Sequence, residues 1–95
     1  MAHEVVLGWA ASSDAAANPS LTYNVYRGLN STSLVKIASG VAALTYSDSD
    51  PSLVPGAYYY TVTSELNGAE SAQPTPVSAV IPPAPPTDLV VTSVT

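Results

Sequence analysis

The chain has 95 residues, enough for one domain but not for two. Hydrophobic residues make up 46% and charged residues 9%, which is too apolar for a disordered segment. Seven acidic residues face two basic ones, Arg27 and Lys36, so the formal net charge is −5. This charge argues against nucleic-acid binding. Because no apolar run reaches the roughly 18 residues of a spanning helix, we expect no membrane insertion.

The composition offers few of the residues that catalysis and cofactor binding use. The chain contains no Cys, and His3 is its one histidine. Thiolate chemistry is therefore absent, as are most zinc sites and every Ser-His-Asp triad not built on His3. Asp48 and Asp50 offer the carboxylate oxygens that Ca²⁺ prefers, although an ordinary polar loop is the simpler interpretation. We expect no enzyme, no cofactor and no metal.

Short β-type runs separated by turn residues follow one another along the chain, which contains nine Pro and five Gly. In the first run, Val5, Leu7 and Trp9 alternate with Val6 and Gly8, the pattern of a half-buried strand. Further strands are predicted at 21–26, 34–38, 44–48, 58–63 and 77–81. The count in this part of the chain is therefore six strands.

Turn residues set the expected boundaries of these strands. Gly28 and Asn30 predict a turn after the second strand, and Ser39-Gly40 predicts the end of the third. Asn67-Gly68 is the strongest hairpin signal in the chain. Pro74 and Pro76 stand just before the strand at 77–81, so its start should lie at a sheet edge or a bulge.

The C-terminal part divides into a linker and one more strand. Residues 82–88 form a stiff polyproline II linker, with prolines at Pro82, Pro83, Pro85 and Pro86. Residues 89–95 form a seventh strand, whose apolar side chains are Leu89, Val91 and Val94. Together with a six-strand core over 1–81, this predicts an all-β, seven-strand antiparallel immunoglobulin-like sandwich.

Four segments resemble a fibronectin type III domain of the bacterial extracellular kind. "VVLGWAAS" (5–12) resembles strand B with its core Trp9, and "YNVYRG" (23–28) resembles strand C. "LVPGAYYYTVTSE" (53–65) resembles the approach to strand F, and "PPTDLVVTSVT" (85–95) resembles the interdomain proline and strand A. The resemblance implies an extracellular or cell-surface location. It also implies a tyrosine corner, which the strand phase assigns to Tyr58 and the motif spacing also allows at Tyr59.

The order of the strands departs from that family, because strand A stands last instead of first. Strand A must run antiparallel to strand B, so it has to start at the end of the sandwich opposite to the one where strand G stops. The linker 82–88 reaches only about 22 Å at roughly 3.1 Å per residue, and its prolines resist a double reversal. We therefore expect Leu89, Val91 and Val94 to enter the groove of another subunit, against Val5, Leu7 and Trp9.

Strand donation between identical chains predicts a non-enzymatic subunit that assembles head to tail into an open extracellular filament. The alternative is a spacer or binding fibronectin type III module of a secreted protein. Tyr26 and Tyr59, with Thr61 and Thr63, form either an exposed contact face or, as we favour, ordinary cross-strand pairs. Asn30-Ser31-Thr32 is a glycosylation sequon that matters only in a glycosylating compartment.

Overall fold

The computed structural model describes residues 3–85 and 90–94. This part of the chain contains no helix, and hence none long and apolar enough to cross a membrane. Its strands are β1 Val5–Gly8, β2 Thr22–Asn30, β3 Ser33–Val41, β4 Thr45–Asp48, β5 Gly56–Leu66, β6 Ala69–Glu70 and β7 Val77–Ile81. The predicted all-β fold class is confirmed.

The strands form two antiparallel sheets that face each other. β1 and β4 make a small sheet, whereas β3, β2 and β5 follow one another in a large sheet, with β6 and β7 both paired to the far edge of β5. Between the sheets lies a core of Leu53, Tyr58, Tyr60 and Ile81. Val5 and other partly buried side chains pack against this core, so the antiparallel sandwich is confirmed.

The large sheet forms because its central strands alternate as the sequence predicts. Tyr58 and Tyr60 on β5 are buried and point into the core, while Tyr59 between them is half-buried on the outer face. On β2, Tyr23 and Val25 are buried and occupy the inner face in the same way. Two central strands that each bury large side chains fix the register of the sheet, since a one-residue slip would turn those side chains outward.

The predicted hairpin at Asn67-Gly68 is confirmed. Asn67 has φ 53° and Gly68 has φ 83°, so both residues adopt the left-handed conformation that a two-residue hairpin turn needs. The returning strand β6 is only two residues long, and the chain leaves the sheet over 71–76 before β7 pairs with β5. Pro74 lies in this break, as expected for a residue with no N–H to contribute to the ladder.

Two predicted boundaries are wrong. Gly28 is not in a turn but inside β2, opposite Tyr59, and the turn falls at residues 31–32, where Asn30 accepts a hydrogen bond from the Thr32 N–H at 3.1 Å. Gly40 does not end β3 either. It has φ 66°, and β3 continues to Val41 through a shift in its register with β2, which is the behaviour of a β-bulge.

Gly28 is required by close packing between β2 and β3, which gives a first prediction. A Cβ at this position would lie 2.2 Å from the Ser33 carbonyl oxygen. We expect Gly28→Ala to destabilise the fold by about 1–3 kcal/mol, the usual cost of overpacking. Gly8→Ala is the matched control, because its nearest contact would be the Leu44 carbonyl oxygen at 4.0 Å. Urea denaturation at low protein concentration that showed equal losses for both variants would contradict this explanation.

Candidate functional site

The unpaired edge of β1 is the most unusual feature of the sandwich. β1 pairs with β4 from Val5 opposite Asp48 to Gly8 opposite Thr45, and the Trp9 N–H continues the ladder by donating to the Leu44 carbonyl at 3.0 Å. No strand of the described residues pairs with the other edge of β1. A free edge presents unpaired N–H and C=O groups, which can pair with a further strand.

The alternation predicted for β1 is present, but its inner face is only partly covered. Val5, Leu7 and Trp9 are half-buried, whereas Val6 points outward and is 66% exposed. A central strand of a sandwich would bury its inner-face side chains fully. β1 is instead an edge strand, and its inner-face side chains stay partly open on its unpaired side.

A groove of about 220 Å³ runs along the open edge of β1, between the two sheets. We call it the acceptor groove; it is lined by Leu7, Gly8, Trp9, Tyr60, Thr61, Val62, Pro74, Thr75 and Val77. Val77 lies opposite the inward-facing Tyr60, yet it is 63% exposed. Of the residues predicted to form the groove, Leu7 and Trp9 line it, while Val5 packs against the buried core beside it.

A second cavity of about 270 Å³ continues the acceptor groove beyond Trp9. We call it the upper subsite, and it shares Trp9, Val62 and Pro74 with the acceptor groove. The Trp9 and Tyr23 rings meet edge to face there, with centroids 5.6 Å apart. The Trp9 Nε1 is buried and has no hydrogen-bond acceptor within residues 3–85 and 90–94.

Contacts between the sheets fix which end of β1 lies over which part of the large sheet. Asp48, the partner of Val5, accepts a hydrogen bond of 2.7 Å from the Tyr60 hydroxyl. At the other end of β1, Trp9 packs on Tyr23. We refer to these two ends of the sandwich as the Val5 end and the Trp9 end.

The chain leaves the sandwich at the Val5 end. β7 runs antiparallel to β5, and its last residue, Ile81, pairs with Gly56. Gly56 begins β5, four residues before the Tyr60 that bonds to Asp48 at the Val5 end. A strand antiparallel to β1 must enter at the Trp9 end, so the chain that follows Ile81 starts at the wrong end to be that strand directly.

The C-terminal residues that the structure describes do not return to the sandwich. Pro82, Pro83 and Pro85 are exposed and form no strand, and within 90–94 Val91 is 79% and Val94 88% exposed. The predicted linker residue Pro86 and donor residue Leu89 lie outside the described residues.

The Cα radius of gyration is 18.1 Å, against about 13 Å for a compact domain of 100 residues. The principal extents of 70 × 24 × 21 Å likewise describe an elongated chain.

Tyr58 makes the contact that a tyrosine corner requires. Its hydroxyl accepts a hydrogen bond of 3.0 Å from the backbone N–H of Val54, four residues upstream. Tyr58 is also part of the buried core, whereas Tyr59 is on the outer face of the large sheet. This contact fixes the loop before β5 against the Val5 end of the sandwich.

An ion pair between the sheets holds the same end together. The Arg27 Nη1 on β2 donates to both carboxylate oxygens of Asp48 on β4, at 2.9 and 2.8 Å, and Nη2 reaches Asp50 at 3.2 Å. Asp48 is only 3% exposed, so these partners offset the cost of burying its carboxylate. The sequence contains a signal for the position of Arg27 but not for its partner: Arg27 follows Tyr23 and Val25 at a spacing of two, which places it on the inner face.

The pKa values of Arg27, Asp50 and Tyr60 shift in the directions that keep Arg27 and Asp50 charged and Tyr60 neutral. Burial lowers the pKa of Arg27, but its hydrogen bonds to Asp48 and Asp50 outweigh burial and raise it. The Ser52 N–H and hydroxyl hold the pKa of Asp50 below its ordinary value, and Arg27 adds to this effect. Burial, followed by the hydrogen bond to Asp48, raises the pKa of Tyr60. The phenol therefore remains a donor to Asp48 over the whole neutral range.

Asp48 and Asp50, the carboxylates considered for calcium, both belong to this cluster. Among the described residues, no three His, Cys, Asp or Glu side chains gather where they could hold a metal ion. Asp48 and Asp50 face Arg27 instead. A wider cavity of about 510 Å³ lies on the opposite side of the sandwich, beside Val35 and Ile37. Arg27 lines this cavity, but its guanidinium is already paired with the carboxylates of Asp48 and Asp50.

The outer face of the large sheet is a network of paired polar groups. Tyr26 lies opposite Thr61, and both Thr61 and Thr63 are buried, as expected for cross-strand pairs. Thr63 and Tyr26 each donate a hydrogen bond to Glu70. The hydrogen bond from Thr63, followed by that from Tyr26, lowers the pKa of Glu70. This face therefore differs from the acceptor groove, where Leu7 and Trp9 are only half-buried and Val77 is exposed.

Comparison of the chain with protein-family models and with curated proteins finds no match.

The ion pair gives a prediction for the stability of the sandwich. Arg27→Met removes the partner of the buried Asp48 carboxylate, and we expect a loss of about 3–5 kcal/mol in the free energy of unfolding. Lys36→Met is the matched control, because Lys36 reaches Glu70 only at 3.9 Å on the surface. Its loss should stay within about 1 kcal/mol. Equal losses in urea denaturation would show that the Arg27 pair does not hold the sheets together.

Proposed function

We propose that this chain is a non-enzymatic structural subunit that assembles head to tail, each copy donating its C-terminal strand to the open edge of β1 in the next. One observation carries the proposal: the acceptor groove exposes inner-face side chains such as Val77, while the apolar residue Val91 of the same chain is exposed as well. Val94 is also exposed, but strict strand alternation places it on the other face of the donor, with Val90. The apolar face of the C-terminal segment would cover the groove, and the groove would bury that face.

Pairing along β1 would satisfy backbone and side chains together. An added strand bonds to the free edge through its N–H and C=O groups, and every second side chain enters the space between the sheets. Burying an aliphatic side chain contributes roughly 1.5–3 kcal/mol. Two such side chains, Leu89 and Val91, would supply a large part of the 5–15 kcal/mol by which a typical domain is stable.

Direction favours a neighbouring chain over the chain itself as the donor. Residues after Ile81 leave at the Val5 end, and an antiparallel strand on β1 has to start at the Trp9 end. A chain leaving one subunit at its Val5 end can enter the Trp9 end of the next without reversing. The donor and acceptor surfaces differ, so the contact is heterologous and builds an open filament unless it closes into a ring.

The strand order supports assigning the subunit to the fibronectin type III class. In that class the small sheet would hold strands B and E, which are β1 and β4 here, and the large sheet would hold C′, C, F and G, which are β3, β2, β5 and β7. Strand A of that class would lie beside B, which is the free edge of β1. By this resemblance the filament would be extracellular. The alternative is a spacer or binding module of a secreted protein, in which the groove is filled from elsewhere in a longer chain.

The donor register gives the experiment that tests this function. Val91→Asp places a carboxylate in an apolar groove without a basic partner, at a cost of several kcal/mol. We expect the concentration needed for assembly, measured by sedimentation, to rise roughly 100-fold or more. Val90→Asp adds the same charge on the opposite face of the donor strand, where it meets water, so this control should change the threshold by less than about threefold. Equal effects of the two variants would show that the donor register is wrong.

Moving the donor segment tests whether a strand on β1 completes the fold. When residues 85–95 are placed before Met1, they can pair with β1 of their own chain through a short hairpin. Pairing within one chain wins over pairing with a neighbour because of its high effective concentration. We expect a soluble monomer by light scattering, with a higher free energy of unfolding than the original chain. Long polymers from this rearranged chain would place the filament contact elsewhere.

A further inference from the structure

The acceptor groove does not end where a strand would begin to pair, because the upper subsite extends it past Trp9. We propose that the upper subsite binds the proline segment that precedes the donor strand, with Pro85 and Pro86 of the incoming chain against Trp9. This inference rests on the proposed strand donation, and it assigns a second contact that selects the partner and fixes its register.

The direction of the incoming chain places the prolines at this subsite. A donor strand antiparallel to β1 enters at the Trp9 end and runs toward the Val5 end. The residues just before the strand therefore lie at the Trp9 end, and in this chain they include Pro85 and Pro86. Residue 86 and residue 89 are three positions apart, about 10 Å at roughly 3.3 Å per residue. The two cavities share Trp9, Val62 and Pro74, so one continuous chain can occupy both.

The lining of the upper subsite suits a polyproline II segment. Such a segment is stiff, has no internal hydrogen bonds and docks against aromatic side chains in several kinds of recognition groove. The aromatic wall here is the half-buried Trp9, supported edge to face by Tyr23. Ser64 and Ser71 form the polar side of the cavity.

The stiffness of the segment also explains why it would add affinity. A polyproline II helix is already ordered before binding, so less conformational entropy is lost than for a flexible linker. The same prolines direct the chain outward from its own subunit. One segment thereby serves as spacer on the donor side and as ligand on the acceptor side.

Two double variants separate binding of the prolines from stiffness of the linker. Pro85→Ser with Pro86→Ser removes the proposed ligands, whereas Pro82→Ser with Pro83→Ser removes the same number of prolines next to the donor's own sandwich. In the full chain, we expect the first pair to raise the assembly threshold about tenfold and the second less than threefold, by sedimentation. Trp9 is the chain's one tryptophan. Its emission should therefore shift to shorter wavelength on assembly, and this shift should shrink for the first pair only.

Each result has a distinct meaning. Equal thresholds for the two double variants, whether raised or unchanged, overturn the upper subsite as a proline site. If Val91→Asp still blocks assembly in that case, strand donation stands without the proline site. If the original chain does not assemble, or if Val91→Asp assembles like it, strand donation fails and the proline site fails with it.

Discussion

The free edge of β1 is the constraint on which the rest of this structure depends. A sandwich needs both sheets to cover the core, and here a two-strand sheet lies over a much wider one. Leu7 and Trp9 therefore remain half-buried, and Val77 on the facing sheet is left exposed. The proposed function adds a strand at this edge of β1, so it links the stability of the sandwich to its assembly.

What holds the sandwich together without that strand is concentrated at the Val5 end. The pair of Arg27 with Asp48 joins the two sheets, the Tyr60 hydroxyl bonds to the same carboxylate, and Tyr58 fixes the loop before β5. The Trp9 end has no comparable ionic contact among the described residues, and both cavities of the open side lie toward it. Under the proposed function, this asymmetry keeps the sandwich folded at the Val5 end while the Trp9 end receives the donated strand.

Local patterns in the sequence predict much of this structure. The alternation in β1 and β5, the limits of β7 and the turn at Asn67-Gly68 depend on side-chain period and on backbone conformations that few residues adopt. The role of Gly28 and the bulge at Gly40 depend on how β2 meets β3, which no local pattern contains. Local patterns likewise do not predict the partners of Arg27, since pairing with Asp48 depends on how the two sheets lie across each other.

Solid-state NMR of an assembly grown from an equal mixture of ¹³C-labelled and ¹⁵N-labelled chains tests strand donation most directly. Every ¹⁵N–¹³C contact in such a sample arises between different chains. The proposed function predicts contacts between the amide nitrogens of β1 and the carbons of residues 89–95, in antiparallel order from the Trp9 end to the Val5 end. Interchain contacts that leave out β1, or that join it to residues other than 89–95, would contradict it.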